Sequence, residues 1–357
     1  MRLGIAKNGT LALALLAASA TIALAADDTS KKLHLGVGNA DSEYWQEMIW
    51  GATQVMKSVG GDVQVIVNDF DPQKSIQNMS AIVAAGCEGC IFTWFPDSGS
   101  ITNVLTERVT GVHGYITTIW NRPEASHPWD TSKDNWVANI SFDGVFAGYE
   151  NGMALCRALN GKGNIVVLKG VVDNAPAIQR SLGLQNALKE CPGMKVLDEQ
   201  VGSWQQGPAQ EITRTWLVKY GDQINGIFGM NDAMGLGAVA ALREVGKAGK
   251  IPVTGTDGSS DVVELIKKGE MLSTVKGLNQ EQGAVAAAIT YGVRIGDIKL
   301  ADLTEAQRDF NIKQELVTKE NADAILAAKP DPADYTYEKI KADLWGKSDG
   351  QIAPGMN

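Results

Sequence analysis

Cys87 and Cys90 are separated by two residues in a C-x-x-C, a spacing used for thiol–disulfide exchange and for zinc. Redox pairs of this kind lower a thiol pKa at a helix N-terminus. Here the pair follows an apolar helical pattern and opens a strand, Cys90-Ile91-Phe92, so core packing or a local disulfide is expected. Cys156 and Cys191 each end a predicted helix, and the two helices flank one strand; a structural disulfide between them is expected. Motifs for covalent chemistry are missing from the sequence: no G-x-S-x-G, no H-E-x-x-H, no G-x-x-x-x-G-K. Its three histidines are His34, His113 and His127. Paired carboxylates for glycoside cleavage stay open as an alternative, if Asp41, Asp173, Asp232 and Asp257 approach one cleft. No cofactor or metal is expected.

The richer chemistry is non-covalent. In open parallel sheets, ligands sit outside the carboxyl ends of the strands. The residues that follow the predicted strands are rich in aromatics, carboxamides and carboxylates: Tyr44 and Trp45, Trp94, Trp120 to Arg122, Asn174, Trp204, Asn231 and Asp257. Such a mixture suits a sugar or polyol, whose C–H faces pack on indoles while planar polar groups pair with hydroxyls. Each residue has a competing role. Trp usually serves a core, the reading kept for Trp50, Trp136, Trp216 and Trp345. Asn231 can be only a helix N-cap, Asp257 can cap the helix that Ser259 also can, and Arg122 can form a salt bridge between lobes.

The elements that must position these residues alternate with helix and strand periods. Strands are predicted at 33–37, 63–67, 90–93 and 114–119. Helices start at Ser42 and at Asp71-Pro72, an N-cap with proline at N1, and near Ile101. The passage 122–136 has no clear period and reads as a connection between lobes. A second series runs from a helix at 145–159 to a strand at 271–275, leaving a helix at 280–294, a strand at 310–316 and a polar tail from Thr318 that wraps the surface. Strands alternating with helices imply an α/β fold of two doubly wound parallel-sheet lobes, which suits 357 residues.

Arg2 and Lys7 precede an apolar run from Leu11 to Leu24 that ends in Ala25-Ala26, the pattern of a secretory signal peptide cleaved near Ala26. Removing those two positive charges takes the formal net charge from −9 to −11. An acidic chain of this kind argues against nucleic acid as a partner.

The ordered series resembles the periplasmic sugar-binding proteins of ABC transporters, ribose-binding type, over roughly Leu33 to Val317. The most specific pieces are Gly226-Ile-Phe-Gly-Met-Asn231-Asp232 and Val253-Thr-Gly-Thr-Asp257-Gly258, supported by Asn68-Asp-Phe-Asp-Pro72, Tyr44-Trp45, Arg180-x-x-Gly183 and Ser141-Phe-Asp143-Gly. The resemblance implies a type I periplasmic binding protein fold with a three-segment hinge near 141–143, 277–279 and 311–313. Residues 33–141 with 278–311 would form the N-terminal lobe, 142–277 with 312–340 the C-terminal lobe, and 341–357 a surface tail. It places the family's paired aromatics on Tyr44 and Trp45, its Asp-Arg pair on Asn121 and Arg122, and its second-lobe aromatic on Trp204. Its Asn and Asp of the later turns fall on Asn231 and Asp257. Ser42, Asn121, Ile178 and Gly277 stand where the family carries Asn, Asp, a second Arg and Gln, so the pocket loses charge and polar reach while gaining Trp94 and Trp120. The function implied is a periplasmic, monomeric solute-binding protein that captures a small neutral sugar or polyol by domain closure, without catalysis. Its partners would be ABC permease subunits and, as a further one, a chemoreceptor; a regulator of the same fold would need a DNA-binding unit where the leader stands.

Overall fold

The structure, a computed structural model, describes residues 31–351. The expected leader and its cleavage near Ala26 lie outside them, as do residues 352–357. The chain starts with β1 (Lys32–Val37), α1 (Glu43–Ser58), β2 (Asp62–Val67), α2 (Pro72–Ala84), β3 (Ile91–Trp94), α3 (Thr102–Thr110), β4 (Tyr115–Ile119) and β5 (Trp136–Ser141). These five strands pair in parallel in the order β5-β4-β3-β1-β2. The start of α2 follows from its sequence: the Asp71 carboxylate accepts from Gln73 N at 2.8 Å and Lys74 N at 3.2 Å, and Pro72 needs no partner at N1.

After Ser141 the chain crosses to a second sheet. It continues as α4 (Gly144–Ala158), β6 (Lys162–Lys169), α5 (Ala175–Glu190), β7 (Gly193–Val201), α6 (Gln206–Tyr220), β8 (Gly226–Gly229), α7 (Asp232–Glu244), β9 (Val253–Thr254), α8 (Ser260–Lys268) and β10 (Thr274–Gly277). Here the parallel order is β7-β6-β8-β9. The Cys156–Cys191 disulfide ties the end of α4 to the end of α5. Cys87 and Cys90 are also joined.

Two further crossings fall at Leu278 and Lys313. Helix α9 (Asn279–Arg294) returns to pack on α1 and on the first sheet, followed by α10 (Glu305–Arg308) and β11 (Asp309–Ile312), which lies parallel to β5. Strand β12 (Gln314–Val317) then pairs antiparallel with β10, and α11 (Ala322–Ala327) packs on α8.

Three sequence expectations need correction. The passage 122–136 does not join the lobes, because β4 and β5 on either side of it are neighbours in one sheet. Arg308 helps pin it, donating to the backbone oxygens of Pro128, Lys133, Trp136 and Val137. The C-terminal lobe does not hold 312–340 throughout. After α11 the chain crosses a fourth time, and α12 (Tyr337–Ala342) packs on α9 and α1. Nor is 341–351 a surface tail: β13 (Ser348–Gln351) pairs antiparallel with β11 and caps one edge of the first sheet. Three apolar clusters form the core of the described residues, one between the first sheet and α1/α9, one between that sheet and α2/α3, and one in the second lobe.

Candidate functional site

The carboxyl ends of the two sheets face one cavity, which with its mouth encloses about 640 Å³ of empty space. One wall is aromatic and comes from the first lobe. Tyr44 and Trp45 meet edge to face at 4.7 Å, Trp45 meets Phe95 at 5.1 Å, and Trp120 leans on Phe142 at 5.8 Å. The Tyr44 hydroxyl donates to Gln282 Oε1 at 2.8 Å and accepts from Trp120 Nε1 at 3.0 Å, which fixes both rings. Burial pushes the Tyr44 hydroxyl pKa well above its usual range, so it stays a neutral donor.

Trp204 forms the facing wall from the second lobe. Its indole lies over Gly170, where a Cβ would come within 2.0 Å of the ring, so only glycine admits it. Trp120 and Trp204 both hold left-handed backbone, with φ of 65° and 63°, and Asp257 has φ 135°. Such conformations are costly for residues with side chains and tend to be kept where they aim a functional group.

Between the two indoles lies Arg180. Its guanidinium carbon sits 5.4 Å from the Trp120 ring centre and 5.6 Å from that of Trp204. Nη1 donates to Met230 O at 2.6 Å, and Nε has no partner among the described residues. In the sequence Arg180 stands out only as part of Arg180-x-x-Gly183: it lies in the second turn of α5, away from the strand ends where site residues are expected. A signal was present: Ala177, Arg180, Gly183, Leu184 and Ala187 share the buried stripe of α5, and a charge on such a stripe needs a reason.

Two carboxyls lie near the guanidinium. Asp232 starts α7 and accepts from Thr274 Oγ1 at 2.6 Å, and from Ser259 N at 2.7 Å and its Oγ at 2.9 Å. Burial pushes the Asp257 carboxyl up to about 8, Asp232 adds to the rise, and Arg180 opposes it. Asp232 is raised too, chiefly by burial. The hydrogen bonds from Thr274 and Ser259 oppose the rise at Asp232, and Arg180 opposes it at Asp257. Asn231 does two things at once. Its Oδ1 caps α7 through Met234 N at 3.0 Å, while the residue also lines the cavity. Asn39, Ser42, Asn279 and Gln314 add polar groups that the site list did not include.

Of the expected site residues, Tyr44, Trp45, Trp120, Trp204, Asn231 and Asp257 line this cavity and four do not. Trp94 is fully buried on the other face of the first sheet, its Nε1 donating to Ser75 Oγ at 2.9 Å. It is the last residue within β3, so strand alternation, not a loop, sets its direction. Arg122 pairs with Asp309 at 2.7 Å inside the first lobe and donates to Pro123 O, Glu124 O and Ser126 O, which leaves it turned away from the cavity. Asn121 and Asn174 join the lobes instead. Asn121 Oδ1 accepts from Ala175 N at 2.8 Å, and Asn174 Nδ2 donates to Asp97 O at 2.6 Å while its Oδ1 accepts from Trp204 Nε1 at 3.0 Å. Elsewhere along the cleft, the Glu43 carboxylate accepts from Ser260 N and Oγ. The lobes therefore touch around the cavity, which is the closed arrangement. Among the other carboxylates considered for hydrolysis, Asp41 and Asp173 are exposed and do not line it.

Asp97, beside this bridge, is fully buried, with the Ser75 and Asn68 side chains as its polar neighbours. Burial pushes it up to about 8. A carboxyl that keeps its proton when folded but loses it near pH 4 when unfolded makes the folded state bind the extra proton. Its contribution is therefore complete at acid pH and is lost as pH rises through about 4 to about 8, with a slope of about 1.4 kcal/mol per pH unit. Urea unfolding across that window is expected to show falling stability. Asp97→Asn, which cannot ionise, should flatten the slope by one proton's worth; an unchanged slope would mean the carboxyl is solvated.

Residues 35–297 match the family model described as "Periplasmic binding protein domain". The chain is 31% identical over 190 residues to the xylitol-binding protein of Mycolicibacterium smegmatis, a match covering 53% of this chain and 52% of that relative. It is 29% identical over 268 residues to the D-apiose import binding protein of Paraburkholderia graminis, covering 74% and 80%. Among solved structures, a twin-arginine translocation pathway signal protein from Burkholderia phytofirmans superposes with a TM-score of 0.84 at 32% identity, covering 90% of this chain and 98% of that one. With two parallel-sheet lobes, chain crossings at the expected hinge and a cavity between the strand ends, the chain belongs to the periplasmic binding protein domain family.

Proposed function

We propose that this chain is the solute-binding component of an ABC uptake system, capturing a neutral monosaccharide or polyol between its lobes in the periplasm and presenting the closed form to permease subunits. The observation that carries this reading is the cavity itself: indoles on opposing walls, carboxamides and hydroxyls around them, and a guanidinium with the Asp232 and Asp257 carboxyls beside it. Two carboxyls beside the guanidinium disfavour an anionic sugar, and indole faces favour C–H surfaces. The relatives named for xylitol and D-apiose support a polyhydroxylated ligand of this size. Closure follows from differential affinity, since a ligand touching both walls stabilises the state in which Asn121, Asn174 and Glu43 reach the opposite lobe.

Binding without chemistry is the reading the carboxyls support. Asp232 is held by Thr274 and Ser259, and Asp41 and Asp173 stay outside, which leaves Asp257 as the one carboxyl among the described residues that line the cavity. The test is a thermal-unfolding screen of neutral pentoses, hexoses and polyols beside uronic acids and amino acids. A true ligand at about 100 times its Kd should add roughly 2.7 kcal/mol. Stabilisation by charged solutes alone, with none by neutral ones, would overturn the assignment.

A further inference from the structure

Away from the cavity, the C-x-x-C pair gains a neighbour that the sequence did not reveal. His34 lies in β1 opposite Phe92 of β3 and stacks on its ring at 5.1 Å. Its Nε2 is 3.9 Å from Cys87 Sγ, and the ligating atoms of His34, Cys87 and Cys90 all lie within 4.8 Å of one another. The three residues are buried at 6%, 6% and 3% exposure, beside the apolar layer between the first sheet and α2/α3. His34 Nδ1 has no hydrogen bond among the described residues.

We propose that reduction of the Cys87–Cys90 disulfide converts this cluster into a site for one thiophilic d10 cation, zinc(II) or copper(I), held by the two thiolates and His34 Nε2. Two sulfurs and one imidazole are the donor set such ions prefer. Bonds of about 2.3 Å to sulfur and about 2.0 Å to nitrogen put tetrahedral ligands roughly 3.5–3.8 Å apart. The His34–Cys87 separation is already close to that, and breaking the S–S bond lets the sulfurs separate to match. The redox step balances with a dithiol donor: it gives two electrons and two protons to the disulfide and becomes a disulfide itself. Metal binding then releases the two thiol protons to solvent. The cluster sits at the amino-terminal side of β3, whereas the sugar-sized cavity opens at the carboxyl ends. The ion therefore does not depend on the transport reading.

The experiment uses the whole chain. Protein reduced with dithiothreitol, desalted without oxygen and titrated with zinc(II) against a chromophoric chelator should bind one equivalent; the oxidised protein should bind none at that site. Cobalt(II) in place of zinc should give an intense thiolate charge-transfer band. His34→Phe, which keeps the stacking on Phe92, should lower the affinity at least tenfold. Mapping alkylation on the unaltered chain serves as a check that needs no variant: zinc should shield Cys87 and Cys90 but not Cys156 and Cys191. Equal uptake by the oxidised protein, equal alkylation of all four thiols, or an affinity indifferent to His34 would each overturn the site.

Discussion

Trp94→Ala is expected to lower the unfolding free energy by about 3–5 kcal/mol, the range for emptying a buried aromatic site. Trp94 is fully buried, its Nε1 donates to Ser75, and a Cβ at Gly36 would come within 2.3 Å of its ring. Deleting the indole opens a void between β1, β3 and α2 and leaves Ser75 without its donor. Nothing in that layer touches the cavity, so ligand affinity of the folded protein should change by less than about threefold. Denaturant unfolding and titration of a ligand from the neutral-solute screen separate the two quantities. A large loss of affinity at unchanged stability would return Trp94 to the binding site.

The contrast between Trp94 and Trp120 shows where sequence reading runs out. Both follow apolar β patterns and end in aromatic positions near a strand terminus. Trp94 is still inside its strand and obeys the alternation that sends it into the core, while Trp120 lies one residue past β4 and turns on a positive φ into the cavity. That difference is a single residue of register, below what periodicity resolves. The alternating elements and the doubly wound class were legible because long apolar periods and caps such as Asp71-Pro72 specify them locally, whereas the hinge crossings were expected from the family resemblance alone. The carboxamides were legible as residues at the cleft but not in their roles. Whether Asn121 and Asn174 meet a ligand or the opposite lobe depends on how far closure brings the rims together, which no local pattern encodes. Strand β13 was illegible for another reason: Ser348-Asp-Gly-Gln has no strand propensity and is ordered by the free edge of β11.

Arg180→Met should weaken binding of the cognate neutral solute by about 3 kcal/mol, more than a hundredfold. The guanidinium is fully enclosed, and among the described residues lining the cavity it is the one cation. Methionine preserves much of the aliphatic stem, so the effect isolates the charged head that lies between Trp120 and Trp204. Removing that head takes away donors that a hydroxyl-bearing ligand would use, including the Nε, which has no hydrogen bond among the described residues. It also leaves the Asp232–Asp257 pair without its counter-charge. The Asp257 carboxyl, already pushed up to about 8, then rises further, because the one neighbour opposing the rise most strongly is gone. Lysine should rescue only in part: its point charge can offset the carboxyls but cannot present a planar fork between two rings. Calorimetric titration of both variants decides the matter. A loss below fivefold for Arg180→Met would show that the ligand is gripped by the indoles alone, with the buried guanidinium serving to hold α5 against Met230.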